Sequence, residues 1–146
     1  MSKKLGNDYR LWIESTTTPG TFNEIKGQTS TKISRQTGLI DTSTKDNFPY
    51  GTQAPGLRTL TLDLEIYPDL PDATGYAVLE TSANAAVATP VKFEIRKDGS
   101  TGASEDAVFA ASMYIGNFDT DFPKNDVVKC TFQLSLASAP TKDALA

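Results

Sequence analysis

Residues 57–67 read Leu57-Arg58-Thr59-Leu60-Thr61-Leu62-Asp63-Leu64-Glu65-Ile66-Tyr67, and the reading of this run decides the fold. Leu60, Leu62, Leu64 and Ile66 alternate with Thr59, Thr61, Asp63 and Glu65. Successive side chains of a strand point to opposite faces, so a period of two predicts one buried face and one wet face. A helix would scatter the same leucines around its circumference. The run therefore specifies a β-sheet with a core on one side.

The same signature recurs outward in both directions. Tyr9, Leu11 and Ile13 alternate with Arg10, Trp12 and Glu14, which predicts a strand over 8–14, and Thr16-Thr17-Thr18-Pro19-Gly20 is turn chemistry leading into a partner over 21–25. Residues 29–35 are extended but offer only Ile33 as a large apolar side chain, which predicts an edge strand buried by something else, such as another subunit. Further on, Val91, Phe93 and Ile95, then Phe109, Ala111, Met113 and Ile115, then Val128, Cys130, Phe132, Leu134 and Leu136 mark strands over 90–97, 107–118 and 127–138. Gly116 predicts a bulge or a close backbone approach. Pro68-Asp69-Leu70-Pro71-Asp72 ends the central strand, and Asp69 as N-cap with Pro71 in the first turn predicts a short helix over 71–86. Residues 139–146 read as a mobile C-terminal tail. Together these make one mainly β domain over residues 1–146, with six to seven antiparallel strands and one short flanking α-helix.

Residues 36–56 have no sustained period, yet they carry Leu39, Ile40, Phe48 and Tyr50 among polar residues. They read as a long inter-strand loop, and a loop of this length inside a compact domain is functional, disordered or ordered by a partner. Disordered linkers are poor in such anchors and interfaces are rich in them, so the residues favour intermolecular contact.

Composition removes most chemistry. The chain has no histidine and one cysteine, Cys130, which excludes histidine-based triads, histidine-ligated metals, an intrachain disulfide and a cysteine cluster. Cys130 alternates with Val128 and Phe132 and reads as a small buried hydrophobe. Fourteen basic and eighteen acidic residues leave a net charge of −4, which disfavours a dedicated phosphate-binding surface. The first 35 residues carry a net +3 and residues 36–75 a net −4, an asymmetry suited to head-to-tail contact between copies. Asp63 and Glu65 project side by side, but no further ligand or sugar platform accompanies them, and a solvated face is the better reading. Asp119, Asp121 and Asp126 lack the glycine and distal glutamate of a calcium loop and read as an acidic surface loop. No cofactor and no catalytic or metal site is expected. No stretch approaches the ~18 apolar residues of a membrane helix, and Lys3-Lys4 has no apolar run behind it, so neither a membrane anchor nor a signal peptide is expected.

Three segments carry a resemblance: Gly27-Gln28-Thr29-Ser30-Thr31-Lys32-Ile33-Ser34, then Ile40-Asp41-Thr42-Ser43-Thr44-Lys45-Asp46, then Pro55-Gly56-Leu57-Arg58-Thr59-Leu60-Thr61-Leu62. In this order and spacing, followed by a short helix and three strands, the chain resembles the major tail tube proteins of long-tailed bacteriophages. The resemblance implies a tail-tube-type β-sandwich or barrel that forms six-fold rings, stacked into a hollow tube through which genomic DNA leaves the virion. It further implies that residues 36–56 reach the adjacent ring, with Leu39, Ile40, Phe48 and Tyr50 as anchors and Asp41, Lys45 and Asp46 as rim charges. Thr59, Thr61, Asp63 and Glu65, or Lys129, Thr131, Gln133 and Ser135, would line the lumen, where acidic groups repel phosphates. The partners implied are further copies of the chain, a tape measure protein inside the tube, and terminator and distal tail proteins at its ends. The place implied is the virion tail, after assembly in the host cytoplasm. Two other readings stay open: another ring-forming tail or secretion-tube component, and a carbohydrate-binding module using Trp12, Tyr50, Tyr67, Tyr76 and Tyr114 as a platform.

Overall fold

The computed structural model describes residues 5–145, apart from the side chains of Ser100 and Ser104, so the ends of the expected 1–146 domain lie outside the described residues. Among these residues eight strands and one α-helix follow in the order β1 (Arg10–Glu14), β2 (Phe22–Glu24), β3 (Gln28–Asp41), β4 (Gln53–Ile66), α1 (Tyr76–Ala83), β5 (Val91–Arg96), β6 (Ala107–Asp121), β7 (Lys129–Leu136) and β8 (Lys142–Asp143). All pairings are antiparallel, in the order β2-β1-β5-β6-β7-β4-β3, with β8 added to β6.

The run that decides the fold lies inside this order. On β4, Leu62 is paired with Ile33 of β3 and Leu134 of β7, while Asp63 is paired with Lys32 and Gln133 on the opposite face. Leu60, Leu62, Leu64 and Ile66 are all buried. The sheet rolls until its ends meet: the Leu11 amide donates to Gln28 Oε1 at 2.9 Å and Gln28 Nε2 donates to the Leu11 carbonyl at 2.8 Å, tying β1 to β3. Rolling places Leu11, Ile13, Phe93, Ile95 and Phe109 against Leu62, Leu64, Phe132 and Leu134 in one core. Each fully buried side chain of this kind contributes about 1.5–3 kcal/mol, which replaces the disulfide this chain lacks.

Four expectations are corrected. The 36–56 segment is not a loop, because β3 and β4 continue as a paired ribbon to Asp41 and Gln53 and only residues 42–52 connect them. The helix spans Tyr76–Ala83 rather than 71–86, because the group at its entrance is Asp72 and not Asp69. The buried Asp72 carboxylate accepts from the amides of Gly75 at 3.1 Å, Tyr76 at 3.0 Å and Lys26 at 3.1 Å, so it fastens the helix start to the β2–β3 connection. A Cβ on Gly75 would stand 2.7 Å from the Glu24 carbonyl oxygen, which explains a glycine where helix propensity argues against one. Within the stretch read as a mobile tail, Lys142–Asp143 pair with β6 as β8, an eighth strand beyond the six or seven foreseen, and Ala146 lies outside the described residues. Val128, read as inward-facing, is exposed because β7 begins only at Lys129.

The helix closes one side of the roll. Tyr76 and Leu79 are buried, the Tyr76 ring meets Phe132 edge-on at a centroid distance of 6.4 Å, and its hydroxyl lies 3.4 Å from Cys130 Sγ. Burial, with the Cys130 contact second, pushes the Tyr76 hydroxyl well above the ordinary tyrosine range. Cys130 is the buried small hydrophobe its alternation predicts.

Candidate assembly surfaces

Beyond Arg35 on β3 and Leu60 on β4 the hairpin leaves the body as an arm. Its ladder continues through Gln36↔Thr59 and Thr37↔Arg58, shifts register, and ends with Leu39↔Pro55, Ile40↔Ala54 and Asp41↔Gln53. Six β3 residues past Arg35 give the arm a reach of about 20 Å. Paired residues share a face, so Leu39 with Pro55 and Ile40 with Ala54 lie on opposite faces of the ribbon. Both leucine and isoleucine are exposed, at 61% and 58%, and at the connection Phe48 and Tyr50 are exposed at 87% and 81%. Leu57, which the sequence reading did not single out as a contact, is as exposed as Phe48. It falls in the Pro55-Gly56-Leu57 stretch, where bulkiness without alternation was the available signal.

The connection is ordered by its own polar groups. Asp41 Oδ1 accepts from the Ser43 amide at 2.8 Å, which holds the Asp41 carboxyl below the usual carboxylate range. The Thr42 and Thr52 hydroxyls meet at 3.0 Å, and Ser43 Oγ both accepts from the Thr52 amide at 2.7 Å and donates to its carbonyl. Asn47 Oδ1 accepts from the Thr44 amide at 2.8 Å at the start of a single 3-10 turn, Lys45–Asn47. Local bonds of this kind spare the connection from needing a core. The arm therefore presents its apolar groups outward with a defined shape.

The second surface is the outer face of β3, β4, β7 and the far half of β6. Thr59, Thr61, Asp63 and Glu65 lie on it, the first and third exposed and the other two half-buried. Across the strands stand Gln36, Ser34, Lys32 and Ser30 of β3 and Ser135, Gln133 and Thr131 of β7. The two strand faces read from the sequence as alternative linings are thus neighbours on one surface. The bulge at Gly116 shifts the β6–β7 register between Ile115 and Asn117, so that Asn117, Asp119 and Asp121 lie opposite Gln133, Thr131 and Lys129. Asp119 and Asp121 are therefore strand residues rather than loop residues. Gly116 followed by the alternation Asn117, Asp119, Asp121 was the signal that could have placed them. Two lysines, Lys32 and Lys129, meet four carboxylates, Asp63, Glu65, Asp119 and Asp121, so the face is net negative. Lys129 Nζ lies 3.6 Å from Glu65, and Asn117 Nδ2 donates to Gln133 at 2.7 Å.

No group of three or more histidine, cysteine or acidic side chains among the described residues is placed to hold a metal. A cleft of about 580 Å³ between β3 and the β1–β5–β6 layer is lined mainly by Tyr9, Thr31, Ile33, Ile95, Val108 and Phe109, with the Arg35–Asp143 ion pair at its border. The aromatic platform of a sugar-binding module is not assembled: Tyr76 is buried, Arg96 covers the Trp12 ring at 4.6 Å, and Tyr50 is out on the arm.

The geometry is thus a rolled antiparallel sheet that carries an ordered apolar arm and a wide polar face. The chain belongs to the phage tail tube protein family, whose model matches residues 4–142. It is a structural tail tube component of the virion. No curated protein sequence matches it significantly. Among solved structures it is similar to a subunit in the tail of an empty gene transfer agent particle with C6 symmetry, at TM-score 0.75 and 15% identity over 97% of this chain and 100% of that one. It is similar to the SPP1 tail tube protein at TM-score 0.71 and 12% identity, covering 96% and 80% of the two chains. A chain of the anti-feeding prophage baseplate is similar at TM-score 0.66 and 10% identity, with 97% of each chain covered. These likenesses bear out the mainly β fold read from the sequence, and the family match bears out self-assembly into a tube. No helix of the described residues is long and apolar enough to cross a membrane.

Proposed function

We propose that this chain closes into six-fold rings that stack into a hollow tube, with the β3-β4-β7-β6 outer face toward a lumen that passes double-stranded DNA. One observation carries the reading. The polar face is bounded by two unpaired strand edges: among the described residues β3 pairs only with β4, and β6 beyond Met113 pairs only with β7. An open edge is a template for another strand, and here the two edges are different surfaces on opposite sides of the face. Joining them is a head-to-tail contact, which closes into a ring when the rotation allows. The lining is then net negative and hydrated, so phosphates slide past it instead of being held.

In this arrangement the arm leaves the ring and meets the next one, with Leu39, Ile40, Phe48 and Tyr50 as anchors and Asp41, Lys45 and Asp46 at the rim. The tube would hold a tape measure protein before ejection, end on terminator and distal tail proteins, and assemble in the host cytoplasm. The test is negative-stain microscopy of concentrated purified protein. Stacked rings with six-fold end views are the expected result, and a preparation that stays monomeric under every assembly condition overturns the proposal.

A further inference from the structure

We infer that the end of the sheet opposite the arm is the seat that receives the arm of another copy, with Tyr67, Phe122, Val127 and Val128 as its apolar floor. This rests on the reading of the arm as a stacking contact and says where its other half lies. The β4–β7 ladder ends at Ile66↔Cys130 and the β6–β7 ladder at Asp121↔Lys129, so Tyr67, Phe122 and Val128 follow directly at one end of three adjacent strands. Residues 53–66 of β4 run from the arm to this end, a span of about 45 Å at strand rise. All four side chains are exposed, Phe122 at 76%.

A tube fixes the occupant. In a head-to-tail stack every copy is met at one end by the surface that another copy presents at its other end, so the apolar arm needs an apolar counterpart on this same chain. The outer face between the ends is polar along β3, β4 and β7, and the Phe122 end is the exposed apolar surface where β4, β6 and β7 finish opposite the arm. Charge is balanced on both sides: Lys124 and Asp126 lie between Phe122 and Val127 in the chain, and Lys45 and Asp46 precede Phe48, so each surface carries one charge of each sign for the other to meet.

The test mixes two variants of the full chain, Tyr50→Cys and Val127→Cys, under assembly conditions and mild oxidation. Buried Cys130 stays out of reach. A covalent dimer seen only in the mixture is the expected outcome; no cross-link in assembled tubes, or dimers of Tyr50→Cys alone, overturns the seat. Separately, Phe122→Ser with Val128→Thr should raise the concentration needed for assembly by roughly tenfold or more, as for a truncated interface anchor. Its far-ultraviolet spectrum and melting temperature should stay unchanged. Normal assembly by this variant while an arm deletion abolishes tubes sinks the seat and leaves the arm reading standing. Tubes formed without the arm sink both.

Discussion

The two halves of the β3–β4 hairpin have the same backbone and opposite lives. From Gln28 to Arg35 and from Leu60 to Ile66 the ladder lies over a core, and Leu60, Leu62, Leu64 and Ile66 are buried. From Gln36 to Asp41 and from Gln53 to Thr59 the ladder continues, while every large apolar side chain between Gln36 and Thr59 is exposed. An isolated two-stranded ribbon is marginal in water, so the outer half persists through its continuity with the body and the side-chain bonds of its tip. Strand pairing therefore says nothing about what a segment is for. The destination of the apolar side chains does: inward ones hold this subunit together, and outward ones are, in the function proposed above, left for another copy.

The most drastic way to break the comparison is to remove one half. Joining Thr37 to Arg58 through Asn-Gly, which suits a two-residue hairpin, deletes the outer ribbon at a paired position. The body should keep its circular dichroism spectrum and its urea midpoint, while sedimentation and microscopy find no tubes at any concentration tested. A collapsed midpoint would show that the arm supports the body and that the division is false.

Next in size is the contrast between matched substitutions. Leu62→Ala removes a fully buried side chain between Ile33 and Leu134 and should lower unfolding stability by about 2–5 kcal/mol in urea titration. Leu39→Ala, at the same kind of ladder position on the arm, should stay within about 0.5 kcal/mol while weakening assembly. Equal costs from the two would mean that Leu39 is packed within the monomer.

The body was legible in the sequence for the reason the arm was not. Alternation reports burial, and Leu60 to Ile66, Leu11 with Ile13, and Phe132 with Leu134 alternate because one face meets a core. Gln36 to Asp41 and Gln53 to Gly56 form strands with no such face, and Gly38, Pro55 and Gly56 suggest breaks, so the ribbon reads as a loop although Leu39, Ile40, Phe48 and Tyr50 stand out. The helix start was misplaced because Asp69-Leu70-Pro71 is a stronger local signal than Asp72, whose role depends on the Lys26 amide 46 residues away. Gly116 announced a bulge, but its consequence, Asp119 and Asp121 joining the polar face, needs the β7 register. β8 has no pattern to read, since Lys142 and Asp143 are held by Ala110 and Phe109 of β6 and by Arg35, 108 residues back.

That last contact gives the smallest effect and the finest test of where body ends and arm begins. Arg35 is the last β3 residue before the arm, and its Nε donates to Asp143 Oδ2 at 3.0 Å while a second guanidinium nitrogen reaches Oδ1. The hydrogen bond, with a smaller coulombic contribution, holds the Asp143 carboxyl below the usual carboxylate range against its desolvation, and the same bond raises Arg35. A depressed folded-state pKa stabilises the fold above the unfolded value and is lost as pH falls through the folded one. The gain is thus present at neutral pH and fades below about pH 4. The raised Arg35 value matters only in strong alkali. Both side chains keep solvent contact, 55% and 30%, so the pair is worth at most about 1 kcal/mol. Asp143→Asn should therefore lie slightly below the parent in unfolding stability at pH 7 and converge with it in acid. Amide exchange should quicken at Thr141 and Ala144, whose amides bond to the Ala110 and Val108 carbonyls, and stay unchanged at Thr42 and Thr52 of the arm. A difference that persists undiminished in acid would assign the loss to packing of β8 and not to its charge, and faster exchange in the arm would move the boundary of the body beyond Arg35.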